Sequence, residues 1–332
     1  MRSSMSVRMT AACAASVLAV TASGCGEETS EGGGAGASVV TGVYPLEWLA
    51  TQVGGEHADV DNLTEPGVDP HALELSPRQV GQVSEADVAF YVSGLQPAVD
   101  DAIDQEGGEN ALDVADLVEL RPAGEEEDGH GEDGEHEEHG EEHGEEDGHG
   151  EDGEHDEHGE EDPHMWLDLD RMSQATEGLA EQLAEVDPDN AADYRANAET
   201  TIDTLTGIDQ EYADTLDACE SRDIVVNHAA FGYLAESYDL NQISISGLES
   251  DSEPSPARIA EVADLVEEHD VTTVFTETLT PTDTAETIAE ETGAETAVLD
   301  PLGGITDESP GDDYPSGMRA NLDALDSALR CS

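Results

Sequence analysis

One unbroken helical pattern constrains this chain more than any other feature. After Asp187-Pro188, which reads as a helix start, apolar and aromatic positions recur with helical spacing at Ala192, Tyr194, Ile202, Leu205, Ile208, Tyr212 and Leu216. At 1.5 Å per residue such a helix spans about 40 Å, the scale of a whole lobe rather than of a crossover. The sequence on either side alternates short β-branched stretches with helical ones. Before it, strands are expected at 38–44, 60–63 and 86–92, a strand-like piece at 111–120, and helices from Pro45, from Ser76-Pro77, over 95–103 and over 171–185. Ser76 suits an N-cap and Pro77 the first helical position. After it, strands at 224–227, 242–246, 273–276 and 295–299 alternate with helices at 232–238, 256–268, 282–292 and 314–329. This alternation predicts an α/β fold of two lobes, each a mainly parallel sheet flanked by helices, joined by one long helix. The expected bounds are 38–186 for the N-terminal lobe, 187–217 for the helix and 218–332 for the C-terminal lobe.

The segment 125–162 interrupts the first lobe. It holds 22 acidic residues, 7 histidines and 9 glycines, and nothing else. With no apolar side chain to bury, it cannot offset its ordering entropy and is expected to be a disordered surface loop. Its histidines, His130, His136, His139, His143, His149, His155 and His158, suit weak, exchangeable metal sites, because imidazole favours zinc, nickel and copper. The chain as a whole carries a net charge of −71, and outside the loop 59 acids still face 10 arginines, with no lysine anywhere. No basic patch is available to neutralise phosphates, which excludes nucleic acid as a partner. The excess reads as a solvated acidic surface adapted to salty surroundings, where ionic strength screens self-repulsion.

Arg2 and Arg8, followed by the short apolar stretch from Ala11 to Val20, read as a secretory signal over 1–24. Ala22-Ser23-Gly24-Cys25 resembles a bacterial lipobox, with Ala22 where leucine is usual. Cys25 is then the lipidated first residue, and 25–37, rich in glycine, a flexible tether on the outer face of the cytoplasmic membrane. Outside the cytoplasm, the two cysteines left over, Cys219 and Cys331, are expected to form a disulfide, the other reading being two buried thiols.

Ligand sites in open α/β sheets lie beyond the carboxyl ends of strands. Metal-type residues stand there: His71 in a Pro-Gly loop, His164 just past the acidic run, His228 directly after Ile224-Val225-Val226-Asn227, and Asp300 after Ala297-Val298-Leu299. Three imidazoles and a carboxylate suit a four-coordinate zinc site. Spacing along the chain leaves open whether they meet.

Four segments carry a resemblance. Pro66-Gly67-Val68-Asp69-Pro70-His71, Asp162-Pro163-His164-Met165-Trp166-Leu167-Asp168, Val225-Val226-Asn227-His228-Ala229-Ala230-Phe231-Gly232-Tyr233-Leu234, and Val274-Phe275-Thr276-Glu277 with Val298-Leu299-Asp300-Pro301-Leu302-Gly303 are similar to the zinc/manganese solute-binding proteins of ATP-binding cassette importers, the ZnuA/TroA-type family. The similarity covers about 38–331. It implies a metal held between two lobes, with His71 and His164 as ligands from the first and His228 and Asp300 from the second. Histidine at the third position implies zinc, with manganese as the alternative. Leu73 departs from the family, which has an aromatic there. Glu277 suits a residue that orients an imidazole N–H, or a buried structural acid. The resemblance implies a membrane-tethered, monomeric zinc receptor, not an enzyme, that hands Zn²⁺ to an importer's permease. An extracellular zinc buffer or sensor acting through the acidic loop is the rival. Four protein ligands disfavour a zinc hydrolase, which needs an open position for water.

Overall fold

The computed structural model describes residues 36–106, 108–123, 161–250 and 252–331. The proposed signal, Cys25 and the seven histidines of the acidic run lie outside the described residues. The first half comprises β1 (Ala37–Thr41), α1 (Tyr44–Gly54), β2 (Ala58–Asn62), α2 (Pro77–Glu85), β3 (Val88–Tyr91), α3 (Pro97–Glu106), β4 (Ala111–Asp113), the short pair β5 (Arg121–Pro122) and β6 (Glu161–Asp162), and α4 (Leu169–Val186). α5 (Ala191–Leu216) follows. The second half holds β7 (Asp223–Val226), α6 (Gly232–Ser237), β8 (Asn241–Ser244), α7 (Pro256–Glu268), β9 (Thr273–Thr276), α8 (Asp283–Thr292), β10 (Glu295–Val298) and α9 (Tyr314–Leu329).

The strands form two separate four-stranded sheets, ordered β2-β1-β3-β4 and β10-β9-β7-β8. Every pairing in both is parallel. Sequence and position agree. The inner strands β1, β3, β7 and β9 are apolar runs buried on both faces, as parallel strands covered by helices must be. The edge strands β2 and β10 carry acids, β2 alternating half-buried and exposed positions and β10 being mostly exposed, and charge on an edge strand discourages pairing with other chains. α2 starts as its sequence predicts: the Ser76 hydroxyl accepts from the Gln79 backbone N–H, and the Gln79 side-chain Oε1 accepts from the Ser76 backbone N–H.

α5, 26 residues long, buries one stripe made of Tyr194, Ala198, Thr201, Leu205, Ile208, Tyr212 and Leu216. Asn197 near its start donates to the Val53 carbonyl of α1 at 3.0 Å, and Tyr212 near its end donates to the Met318 carbonyl of α9 at 2.6 Å. The helix therefore packs on both halves, and its buried residues belong to a core that contains side chains from each. Trp166 crosses in the same way, its indole N–H reaching the Pro301 carbonyl at 2.7 Å. Trp48 stacks on Tyr314 with ring centroids 4.9 Å apart.

Two details differ from expectation. The stretch 111–120 is a strand of three residues followed by a turn of 3₁₀ helix. Glu161 and Asp162, which read as the tail of the acidic run, pair antiparallel with Pro122 and Arg121. Asp162 is buried because its carboxylate and carbonyl both have partners inside, as described below.

Cys219 and Cys331 form a disulfide across a sequence separation of 112, fastening the end of the chain to the segment just after α5. Closing so long a loop removes chain entropy from the unfolded state. Replacing both cysteines by serine is expected to lower the unfolding free energy by about 2–5 kcal/mol, measured by urea denaturation at constant salt.

Candidate metal centre

His71, His164 and His228 come from distant parts of the chain, yet one ring nitrogen from each lies within 4.8 Å of the other two. The Nε2 atoms of His71 and His164 are 3.1 Å apart. Around a tetrahedral ion with metal–nitrogen bonds of about 2.0–2.1 Å, donor nitrogens are separated by roughly 3.3 Å, so this pair is already at ligand spacing. The rings of His71 and His228 meet edge to face, as do those of His164 and His228.

His71 and His164 are placed by the same device. Asp69 Oδ1 accepts the His71 backbone N–H at 3.0 Å, and Asp162 Oδ1 accepts the His164 backbone N–H at 3.0 Å. Each Asp-Pro-His triplet is thus a turn closed by its own aspartate, with proline fixing the middle residue. The first turn is tied to its sheet by buried Gln96, whose amide donates to the carbonyls of Gly42 and Pro70 and to the Thr64 hydroxyl. The second is held by Tyr233, whose hydroxyl donates to the Asp162 carbonyl at 2.6 Å. Arg121 lies over that Tyr233 ring and approaches Asp162 Oδ2 at 3.6 Å. It fits because residue 232 is glycine; a Cβ there would collide with the guanidinium. His228 sits at the end of β7 and is buried.

Behind the rings stand carboxylates. Asp162 Oδ1 is 2.9 Å from His164 Nδ1, and Glu277 is 2.7 Å from His228 Nδ1 through Oε1. A carboxylate accepting Nδ1–H fixes the tautomer in which Nε2 carries the lone pair and raises its basicity. The sequence offers the Glu277 contact as one of two roles; it offers Asp162 as the last acid of the run and the head of the second Asp-Pro-His segment, with no role behind the ring. The recurrence of Asp-Pro-His was the available signal.

Charge follows burial. Desolvation, reinforced by the neighbouring His164 and His228, pushes the His71 imidazole down to about 3. Burial also lowers His164, against the pull of Asp162. At His228 burial acts in the same sense, but Glu277, with Asp69 and Asp162, outweighs it and raises the imidazole.

Asp300 does not join the three nitrogens. It is buried, its Oδ1 accepts from the Leu302 N–H and its Oδ2 from the Thr278 hydroxyl. Asn321 clamps its backbone, accepting from its N–H and donating to its carbonyl. Burial raises its carboxyl. A cleft of about 1070 Å³ opens beside the centre, bordered by His71, Arg121, Asp162 and Glu249, and gives it a way to solvent.

Residues 39–328 match the sequence model of the ZnuA family, described as "Zinc-uptake complex component A periplasmic". The chain belongs to this family. It is 33% identical over 317 residues to the high-affinity zinc uptake system protein ZnuA of Bacillus subtilis, covering 92% of each. It is 33% identical over 297 residues to the zinc-binding lipoprotein AdcA of Streptococcus pneumoniae, covering 87% of this chain and 55% of that one. The chain therefore spans about half the length of the AdcA relatives. The structure of the Zn(II)-bound ZnuA-like domain of Streptococcus pneumoniae AdcA superimposes with a TM-score of 0.69 at 29% identity, over 89% of this chain and 99% of that one. Family membership and the two-lobe α/β fold both stand as the sequence predicted.

The His71 shift has a stability consequence. The unfolded ring protonates near 6.5, the folded one only near 3. Between these values the unfolded state binds more protons, so the contribution is fully present above pH 6.5 and is lost as pH falls towards 3. The stability difference between the metal-free protein and its His71→Asn variant is expected to shift in the variant's favour over that window, as read by chemical denaturation at several pH values.

Proposed function

We propose that this chain is the extracytoplasmic zinc-binding component of an ATP-binding cassette importer, which takes Zn²⁺ between its lobes and passes it to a membrane permease. The observation that carries this reading is the convergence of His71, His164 and His228 on one point, with their donor nitrogens within 4.8 Å of one another. Three imidazoles favour zinc over manganese, which prefers oxygen donors. Asp300, outside the group in this arrangement, serves as fourth donor only if the lobes draw closer; otherwise water completes the tetrahedron. Because the ligands belong to two lobes, separating the lobes dismantles the site, and release needs no chemistry.

The remaining assignments complete this proposal. Residues 1–24 act as an export signal, Cys25 as the lipid anchor, and 25–37 as the tether that keeps a monomer near its permease. The lobes and helix take the bounds 38–186, 187–217 and 218–332. Among the described residues no helix is long and apolar enough to cross a membrane. The names of the relatives, a zinc-binding lipoprotein and a zinc uptake protein, support the same reading.

Titration calorimetry with Zn²⁺ tests it. His164→Ala and His228→Ala are each expected to abolish the tight site, while Mn²⁺ competes poorly in the unaltered protein; full zinc affinity in both variants overturns the assignment. Deleting 125–160 separates the receptor from a buffer acting through its loop. The expected outcome is loss of several weak sites with the tight one retained.

A further inference from the structure

Two of the three imidazoles have a carboxylate at hydrogen-bonding distance from Nδ1, and both carboxylates are themselves buried. His71 differs. Its Nδ1 is buried and makes no hydrogen bond in this arrangement. Glu249 Oε2 lies 3.7 Å from it, just beyond hydrogen-bonding reach, on a side chain that is 61% exposed. Glu249 belongs to the other half of the molecule, in the segment that follows β8.

That segment connects two ligand loops. At its start, the Ser246 N–H donates to the Asn227 carbonyl and the Gly247 carbonyl accepts from the Ala229 N–H, which fastens it on both sides of His228. At its end, the buried Ser250 hydroxyl donates to Asp69 Oδ2. Asp69 is the residue whose other oxygen closes the turn carrying His71. Five residues therefore run from the backbone that presents one histidine to the aspartate that positions another, across the two lobes.

We propose that 246–250 is an interlobe strap in which Glu249 and Ser250 are positioning residues for metal capture. Ser250 holds the Asp69 turn against the second lobe. Glu249 accepts Nδ1–H of His71 once Nε2 is committed to the ion, completing the third imidazole–carboxylate pair. The strap thereby couples the presence of metal at His71 to closure of the lobes. The inference rests on the zinc reading above.

The experiment uses the full mature chain. Zn²⁺ affinity is measured by competition with a chelator, and Zn²⁺ dissociation by stopped flow, for Glu249→Ala, Glu249→Gln, Ser250→Ala and Ser250→Thr. Loss of a carboxylate behind a metal-binding imidazole typically costs 10–100-fold in affinity. Glu249→Ala and Ser250→Ala are expected to show a fall of that order, mostly as faster dissociation, with Ser250→Thr restoring it and Glu249→Gln retaining part. A double-mutant cycle supplies the readout that a merely structural role would not move. In a His71→Ala background, Glu249→Ala is expected to cause no further loss, because it acts through that ring. Additive losses, or dissociation unchanged in Glu249→Ala, overturn the strap. His164→Ala serves as the control: if it keeps full affinity, the zinc reading has failed instead. Glu249 is exposed, so its variants decide the matter even if Ser250→Ala does not fold.

Discussion

The hydrogen bond between an imidazole Nδ1–H and a carboxylate is the interaction on which the centre depends. Three histidine rings packed with centroids 5.1–5.9 Å apart repel one another when protonated and lose hydration when buried. Unheld, such rings would rotate, tautomerise or take up protons. A carboxylate behind the ring fixes which nitrogen carries the lone pair and aims it. Asp162 and Glu277 do this for His164 and His228. Burying those acids is tolerable because each is also bonded elsewhere: Asp162 accepts the His164 backbone N–H, and Glu277 accepts the His228 backbone N–H and, at longer range, the Thr280 hydroxyl. The site is thus a set of paired charges and dipoles rather than isolated buried ions, which folding would not sustain.

The fold makes that arrangement possible by bringing the carboxyl ends of two separate parallel sheets towards one centre. α5 and the shared core act against free rotation of the halves. A helix of 26 residues bonds α1 through Asn197 and α9 through Tyr212 and so ties the two halves together. Trp166 adds to this from the very loop that carries His164, since its indole bonds the Pro301 carbonyl next to Asp300. Displacing His164 therefore also disturbs a contact between the lobes. Site and interlobe geometry are linked through neighbouring residues of one loop.

Much of this was legible in the sequence, and the exceptions share one cause. Helical periodicity over 189–216, apolar runs for inner strands and the Ser76-Pro77 start all report local physics, and they appear where expected. The four ligand candidates were visible because they follow strands. What stayed hidden depends on tertiary neighbours. Asp162 reads as the last acid of a low-complexity run and the first residue of an Asp-Pro-His triplet, but its burial and its place behind His164 depend on Tyr233 and Arg121, both distant in sequence. Gln96 and Asn321 are single polar residues in unremarkable contexts, buried where distant backbone requires partners, and Ser250 is buried where the Asp69 carboxylate accepts its hydroxyl. Asp300 is a residue type suited to a ligand, in the expected place after a strand, and in this arrangement its oxygens accept from Thr278 and Leu302.

The acidic composition sharpens why the centre is built from imidazole. With 81 aspartates and glutamates in 332 residues, oxygen donors are everywhere on this protein, and its negative field concentrates cations of every kind near the surface. Hard cations such as magnesium and calcium find carboxylates without any special architecture. On the zinc reading proposed above, such a surface gains selectivity only where oxygen donors are excluded from the point of convergence and nitrogen donors are supplied. Around His164 and His228 the carboxylates Asp162 and Glu277 stand behind the rings, bonded to Nδ1, and not at the point where the three ring nitrogens converge. Salt that screens the surface field acts least on these two pairs, because Asp162, His164, His228 and Glu277 are all buried.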